Sequence, residues 1–143
     1  MSHAPTLSGH CYCGAVRFEI DVPEAPRFAI YCHCDSCRRA HAAPLYQVVA
    51  MDDAGFRITA GAEHVKTYRK PGARIARSWC DACGTRVYNR FPEHRPNVVV
   101  VFPDLLEESV RSKPLPAPLR ATRHAHAEEC VLDFALLAEL RPG

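Results

Sequence analysis

Three tight cysteine groups carry most of the chemistry this chain can offer: Cys11-Tyr12-Cys13-Gly14, Cys32-His33-Cys34-Asp35-Ser36-Cys37 and Cys80-Asp81-Ala82-Cys83-Gly84. A Cys-x-Cys or Cys-x-x-Cys pair turns two sulfurs toward one point, the bite a tetrahedral metal ion needs. Glycine directly after the second cysteine, at Gly14 and Gly84, permits a left-handed residue there. Such a turn aims backbone N–H groups at thiolates and favours their charged form. The simplest partition joins these two glycine-bearing pairs. Cys11, Cys13, Cys80 and Cys83 then form a closed structural site that clips the start of the chain to its middle. Four thiolates favour zinc, with an iron–sulfur centre compatible with the spacing and disulfides or free buried thiols as the plain alternative.

The middle group supplies Cys32, Cys34 and Cys37 and no obvious fourth ligand. Zinc sites that keep one position open are typically the catalytic ones. A thiol substrate taking that position is held as a thiolate nucleophile at neutral pH. Spacing is equally compatible with a closed site, with His41 or Cys130 as the fourth ligand. His33 lies between two ligands and has to point away from a metal held by its neighbours. Arg38 and Arg39 follow directly and suit either a fork to a substrate carboxylate or a solvated basic turn. His41 reads as a proton carrier or as a packing histidine.

The elements that must position these groups are short and mostly extended. Val16, Phe18, Ile20 and Val22 alternate with polar residues, the mark of a half-buried strand. Similar runs are predicted at Arg27–Tyr31, Leu45–Met51, Phe56–Thr59, His64–Tyr68, Ile75–Trp79 and Val98–Phe102, separated by proline, glycine and aspartate turns. A helical period is readable only over Glu128–Leu140, as a short helix or a loosely docked tail ending near Pro142. The pattern predicts an antiparallel all-β fold. Tyr46 and Trp79 read as core aromatics, Cys130 as a small buried hydrophobe, and His124 and His126 as surface residues of one strand face. Lys113-Pro114-Leu115-Pro116-Ala117-Pro118 predicts an extended surface crossing that returns the tail to the same core.

Composition narrows the class further. The chain has 143 residues, 8 of them cysteine, so one domain over 1–143 with a core at about 7–134 is expected. The first residues lack the basic and apolar regions of a signal peptide, which predicts a reducing, cytoplasmic setting and cysteines used for metal or catalysis, not disulfides. A net charge of +2 with scattered basic residues predicts no nucleic-acid partner, and no apolar run is long enough for a membrane helix. Serine-triad, phosphate-loop and dinucleotide signatures are missing.

The order CxCG, CxCxxC, CxxCG resembles the glutathione-dependent formaldehyde-activating enzyme family, which includes centromere protein V-like members. The resemblance runs through Cys11–Phe18, Cys32–His41 and, after Trp79, Cys80–Thr85, with a less specific likeness around His124 and Val131-Leu132-Asp133. It implies a mainly β, Mss4-like zinc-binding fold. It also implies a structural zinc on Cys11, Cys13, Cys80 and Cys83, and a second zinc on Cys32, Cys34 and Cys37 with a place for substrate. The activity it implies is condensation of glutathione with formaldehyde, a carbon–sulfur lyase reaction read in reverse. The chain departs from the family pattern at Ala42, where glycine is frequent, and at Val101–Leu105, where a glycine-leucine-aspartate turn is frequent. Two readings follow. One is an enzyme joining a small-molecule thiol to an aldehyde, as a monomer or a homo-oligomer. The other is a non-catalytic Mss4-like zinc scaffold for a protein partner.

Overall fold

The computed structural model describes residues 4–111, 114–141 and 143. Lys113 and Pro142, which entered the readings of the proline-rich crossing and the tail, lie outside the described residues. Two sheets make up the fold. The smaller joins β1 (Thr6–His10), β2 (Arg17–Asp21) and β5 (Phe56–Ala60) in the order β1-β2-β5. The larger contains β3 (Phe28–Cys32), β4 (Tyr46–Asp52), β6 (Val65–Tyr68), β7 (Ala76–Cys80), β8 (Arg86–Phe91), β9 (Arg95–Val101) and β10 (Arg123–Ala125). Its strand order is β10-β3-β4-β9-β8-β7-β6.

Period-two alternation decides what each face of the large sheet touches. Ala29, Val49, Met51, Val99 and Val101 point one way and meet Phe18, Ile20 and Phe56 of the small sheet in the main core. Ile30, Cys32, Val48, Ala50, Val98 and Val100 point the other way and make a second apolar surface with Cys37 and Phe102. The predicted alternation from Val16 to Val22 is thus a core face, and all four apolar residues are buried. The second cysteine group is built on the opposite side of the large sheet.

The mainly β reading holds, with two differences. First, β10 pairs parallel to β3 through Arg123↔Ile30 and His124↔Tyr31. That strand is three residues long and arrives by the proline-rich crossing, so it leaves neither an alternation nor a hairpin turn to read. The crossing itself is anchored: Leu119 is fully buried, and its carbonyl accepts from Gln47 Nε2. Second, a helix α1 (Asp35–His41) lies within the middle cysteine group. At seven residues it is too short for a hydrophobic period. Its signals are electrostatic: Cys34 caps the start by accepting from the Cys37 N–H, Asp35 lies in the first turn, and Arg38, Arg39 and His41 fill the last. Arg38 Nε on the His33 carbonyl and Arg86 Nε on the Ala40 carbonyl tie the helix down.

At its end Ala42 adopts φ 50°, ψ 43°, and its N–H donates to the Arg38 carbonyl. This is the position at which the resembled family often carries glycine. A left-handed alanine costs about 1 kcal/mol relative to glycine. Ala42→Gly should therefore raise the unfolding free energy by up to about 1 kcal/mol, read as a shift of the urea midpoint at constant slope.

The tail forms a short turn at Ala127–Glu129 and then a helix over Phe134–Glu139, whose start is capped by Asp133 Oδ1 accepting from the Leu136 N–H. Cys130 is only half-buried there and donates to the Leu132 carbonyl, so it is not the core residue expected. Trp79 is likewise half-buried, with the Arg86 guanidinium 5.5 Å from its ring centre. Among the described residues no helix is long and apolar enough to cross a membrane.

Candidate metal centres

Cys11 and Cys13 occupy the turn between β1 and β2, while Cys80 and Cys83 occupy the turn between β7 and β8. Each turn closes in the same way. In one, the Cys11 N–H donates to Val16 O and Gly14 N–H to Cys11 O; in the other, Cys80 N–H donates to Thr85 O and Gly84 N–H to Cys80 O. Both glycines are left-handed, at φ 78° and 81°, as the spacing predicts. The two turns belong to different sheets, and the fold brings their four sulfurs within 4.8 Å of one another.

This donor set fits a single tetrahedral ion. Metal–sulfur bonds of about 2.3 Å place tetrahedral sulfurs about 3.8 Å apart. Cys11 and Cys13 Sγ are 3.6 Å apart, and Cys13 and Cys80 Sγ are 3.9 Å apart. Polar hydrogens converge on the same sulfurs. Val16 N–H donates to Cys11 Sγ at 3.3 Å, and the Thr85 hydroxyl lies 3.2 Å from Cys83 Sγ while accepting from the Tyr12 N–H. Burial opposes the Cys83 thiolate, yet Thr85 and backbone donors hold its pKa down to about 6. Thr85 also links the two turns directly.

The second group gathers Cys32 from the end of β3, Cys34 from the cap of α1 and Cys37 from its first turn, again with sulfurs within 4.8 Å. Among the described residues no histidine, aspartate, glutamate or further cysteine joins these three within that distance. His41 instead stacks on Tyr46, ring centres 4.2 Å apart, with Phe102 edge-on at 5.2 Å. Burial, helped by the Arg77 charge, holds its imidazole down to about 4. His33 turns away from the sulfurs, as expected, and its Nε2 meets His124 Nδ1 at 2.8 Å.

Cys37 is the sulfur most strongly favoured as a thiolate. Cys32 and Cys34 donate toward it, as do the Tyr46 hydroxyl and, at 3.7 Å, Arg77 Nη2, and together they carry its pKa well below the thiol range against the cost of burial. The Cys32 thiol is pushed up by sharing its proton with Cys37 and by burial.

The three sulfurs open onto a cavity of about 710 Å³. Its floor is the outward face of the large sheet, with Phe28, Ile30, Val48 and Val100, and its rim carries Asp35, Arg74, His126 and Glu129. Arg38 and Arg39 do not line it; they front a neighbouring cleft with Asp35, Ala43 and Pro44. Arg38 is also committed to the His33 carbonyl and, at 3.6 Å, to Asp35.

Sequence reasoning passed over Tyr46 as mere core, and it missed Arg77, Asn89 and Thr85. The signal for Arg77 was present: it occupies the apolar phase of the predicted strand Ile75–Trp79, where a charge has no reason to be buried unless it meets something. Asn89 had no comparable mark, because its position opposite Arg77 depends on the β7–β8 register.

The fold and site define a class: a two-sheet, mainly β protein with two cysteine centres able to hold metal ions, one enclosed by four sulfurs and one three-sulfur group at a cavity. Residues 6–119 match the model of the glutathione-dependent formaldehyde-activating enzyme family. The chain belongs to that family. A Halomonas elongata protein provisionally named a glutathione-dependent formaldehyde-activating enzyme is 29% identical over 115 residues, covering 76% of this chain and 70% of the relative. The crystal structure of a Rhodobacter sphaeroides protein superposes with a TM-score of 0.62 at 23% identity, over 83% of this chain and 100% of the other. That likeness concerns the fold.

Proposed function

We propose that this protein is a zinc-dependent carbon–sulfur lyase that joins a thiol to an aldehyde, or separates them, at the Cys32, Cys34 and Cys37 group. The observation supporting this reading is a three-sulfur group without a fourth protein ligand among the described residues, opening on a cavity large enough for a small substrate. Zinc, when bound there, supplies a fourth position at which a substrate thiol is held as thiolate at neutral pH. A second zinc on Cys11, Cys13, Cys80 and Cys83 has a structural role. The reading suits free thiols in a reducing cytoplasm.

In the forward step the thiol sulfur forms a bond to the carbonyl carbon. The C=O π electrons move to oxygen, and that oxygen takes up the proton released by the thiol, leaving a hemithioacetal. The chain's own groups orient and shield this step. Tyr46 and Arg77 fix Cys37 from one side by hydrogen bonds, and the apolar floor limits water at the carbonyl. Arg38 and Arg39 front the cleft on the far side of Asp35; with Arg38 held by the His33 carbonyl and Asp35, Arg39 is the one to meet a carboxylate of a long thiol such as glutathione where it extends past the mouth. His41 packs behind Tyr46 and holds its ring in place.

The direct test is exchange spectroscopy of glutathione with formaldehyde. Acceleration over buffer, lost on chelation and regained with zinc, is the expected result. An unchanged exchange rate at full zinc loading would rule out glutathione and formaldehyde as the substrate pair. The enclosed centre has its own check, because Thr85→Val removes the hydroxyl that serves both Cys83 and Tyr12. It should weaken binding of that zinc about 10–100-fold in a chelator competition and leave the other site unchanged.

A further inference from the structure

The cavity has a polar pair deep in an apolar surface that the described residues leave partly unpaired. Arg77 on β7 and Asn89 on β8 are directly opposed in register and are 8% and 0% exposed. Arg77 Nη2 is used on Cys37, but Arg77 Nη1 and both Asn89 side-chain polar atoms, Nδ2 and Oδ1, are buried with no hydrogen-bond partner among the described residues. All three atoms belong to residues lining the cavity beside the second cysteine group. Burying an unpaired guanidinium nitrogen and a whole unpaired amide opposes folding. A stable fold that keeps them at the floor of a cavity has two donors, Arg77 Nη1 and Asn89 Nδ2, and one acceptor, Asn89 Oδ1, prepared for an oxygen-bearing group that arrives from outside.

Around that pair the surface is hydrocarbon: Phe28, Ile30, Val48, Phe91 and Val100. Formaldehyde has no carbon chain to place there, and the cavity is of a size that encloses a much larger molecule. Glutathione, with two carboxylates and an ammonium, is a poor match for an apolar floor whose one charged group, Arg77, already faces Cys37, the other charged residues Asp35, Arg74 and Glu129 standing at the rim. We propose that the cavity selects an aldehyde with an apolar chain or ring, whose carbonyl oxygen is received by Arg77 Nη1 and Asn89 Nδ2. That the ligand is an aldehyde rests on the thiol-addition reading above; that it is apolar with one oxygen-bearing end rests on the cavity alone. As the sulfur–carbon bond forms, the C=O electron pair moves to the oxygen that these two donors face, where it takes up the thiol proton. The pair therefore serves both binding and the developing charge.

Octanoate is a stable probe with the same apolar body and a two-oxygen head. In calorimetric titration of the zinc-loaded protein, octanoate should bind, and formate, which has the head without the chain, should bind at least about 100-fold more weakly. Arg77→Met and Asn89→Leu should each weaken octanoate about tenfold or more. Asn89→Leu also removes unpaired buried polar atoms while keeping the same branched shape, its extra bulk facing the cavity, so its thermal midpoint should rise by about 3 °C. A purely structural asparagine would move the midpoint down, and that result would overturn the assignment. Octanoate affinity unchanged in both variants would overturn it as well. If formaldehyde exchange is accelerated but octanoate does not bind, this inference fails and the lyase reading stands. If octanoate binds through Arg77 and Asn89 but neither octanal nor formaldehyde adds a thiol, the apolar subsite stands and the lyase reading fails.

Discussion

Cys80→Ser is expected to release one equivalent of zinc and to lower the unfolding free energy by more than about 3 kcal/mol, beyond the range of most single substitutions. Cys80 is fully buried and ends β7, an internal strand of the large sheet, while its partners Cys11 and Cys13 lie in the turn of the small one. The four sulfurs thus join two sheets through residues 67 positions apart between Cys13 and Cys80. Their release restores the denatured-state freedom that the clip removes and leaves three thiolates facing one another without a cation. Serine keeps the volume but offers a poor thiolate substitute. Metal analysis together with urea unfolding reads both effects. Cys130→Ser, with its sulfur on the Leu132 carbonyl and outside both groups, is the control and should change neither. Full zinc content and an unshifted urea midpoint in Cys80→Ser would remove the structural role from this centre.

Cys34→Ser is expected to behave oppositely, keeping the fold and losing the reaction. Cys34 caps α1, its sulfur accepting from the Cys37 N–H at 3.4 Å. Serine is among the best residues for that cap, so helix and sheet packing should survive with a change within about 1 kcal/mol. The thiolate, however, is gone, and the group falls to two sulfurs. Zinc content should drop from two to about one, and thiol–aldehyde exchange should fall by about 1000-fold or more, the scale associated with losing a metal's share in catalysis. Circular dichroism, metal analysis and exchange kinetics on one sample separate the two centres. Wild-type exchange in a variant that has lost this zinc would place the reaction elsewhere.

The two variants show how differently the centres could be read beforehand. The enclosed site was legible in sequence because it rests on local rules. Paired cysteines, a following glycine and a tight turn specify the geometry of each half, and the structure repeats the same backbone hydrogen bonds at both. The strands were legible for a similar reason, since Val16, Phe18, Ile20 and Val22 alternate across a face that has to be buried. Helix α1 was not, because seven residues carry no usable period. Its charge order, acidic at Asp35 and basic at Arg38, Arg39 and His41, was visible in the sequence, but charge order without a period does not mark a helix. Strand β10 was not, because a three-residue parallel partner owes its place to a crossing and not to its own composition.

What the sequence determined by itself is the inventory: which sulfurs exist, in which local pairs, on a chain patterned for sheets. Whether the second group is open lay beyond it. Cys32, Cys34 and Cys37 are equally compatible in sequence with His41 or Cys130 as a fourth ligand. Only the tertiary structure sends His41 into a stack with Tyr46 and leaves Cys130 on the tail. Arg77 left a mark in the sequence, but its meeting with Asn89 beside the second group was likewise undecidable. They are twelve positions apart in the chain and meet only because β7 and β8 pair in one register, with Arg77 opposite Asn89. A shift of one residue would turn either side chain to the other face of the sheet. Short-range rules write the ligands, and long-range register decides what those ligands face.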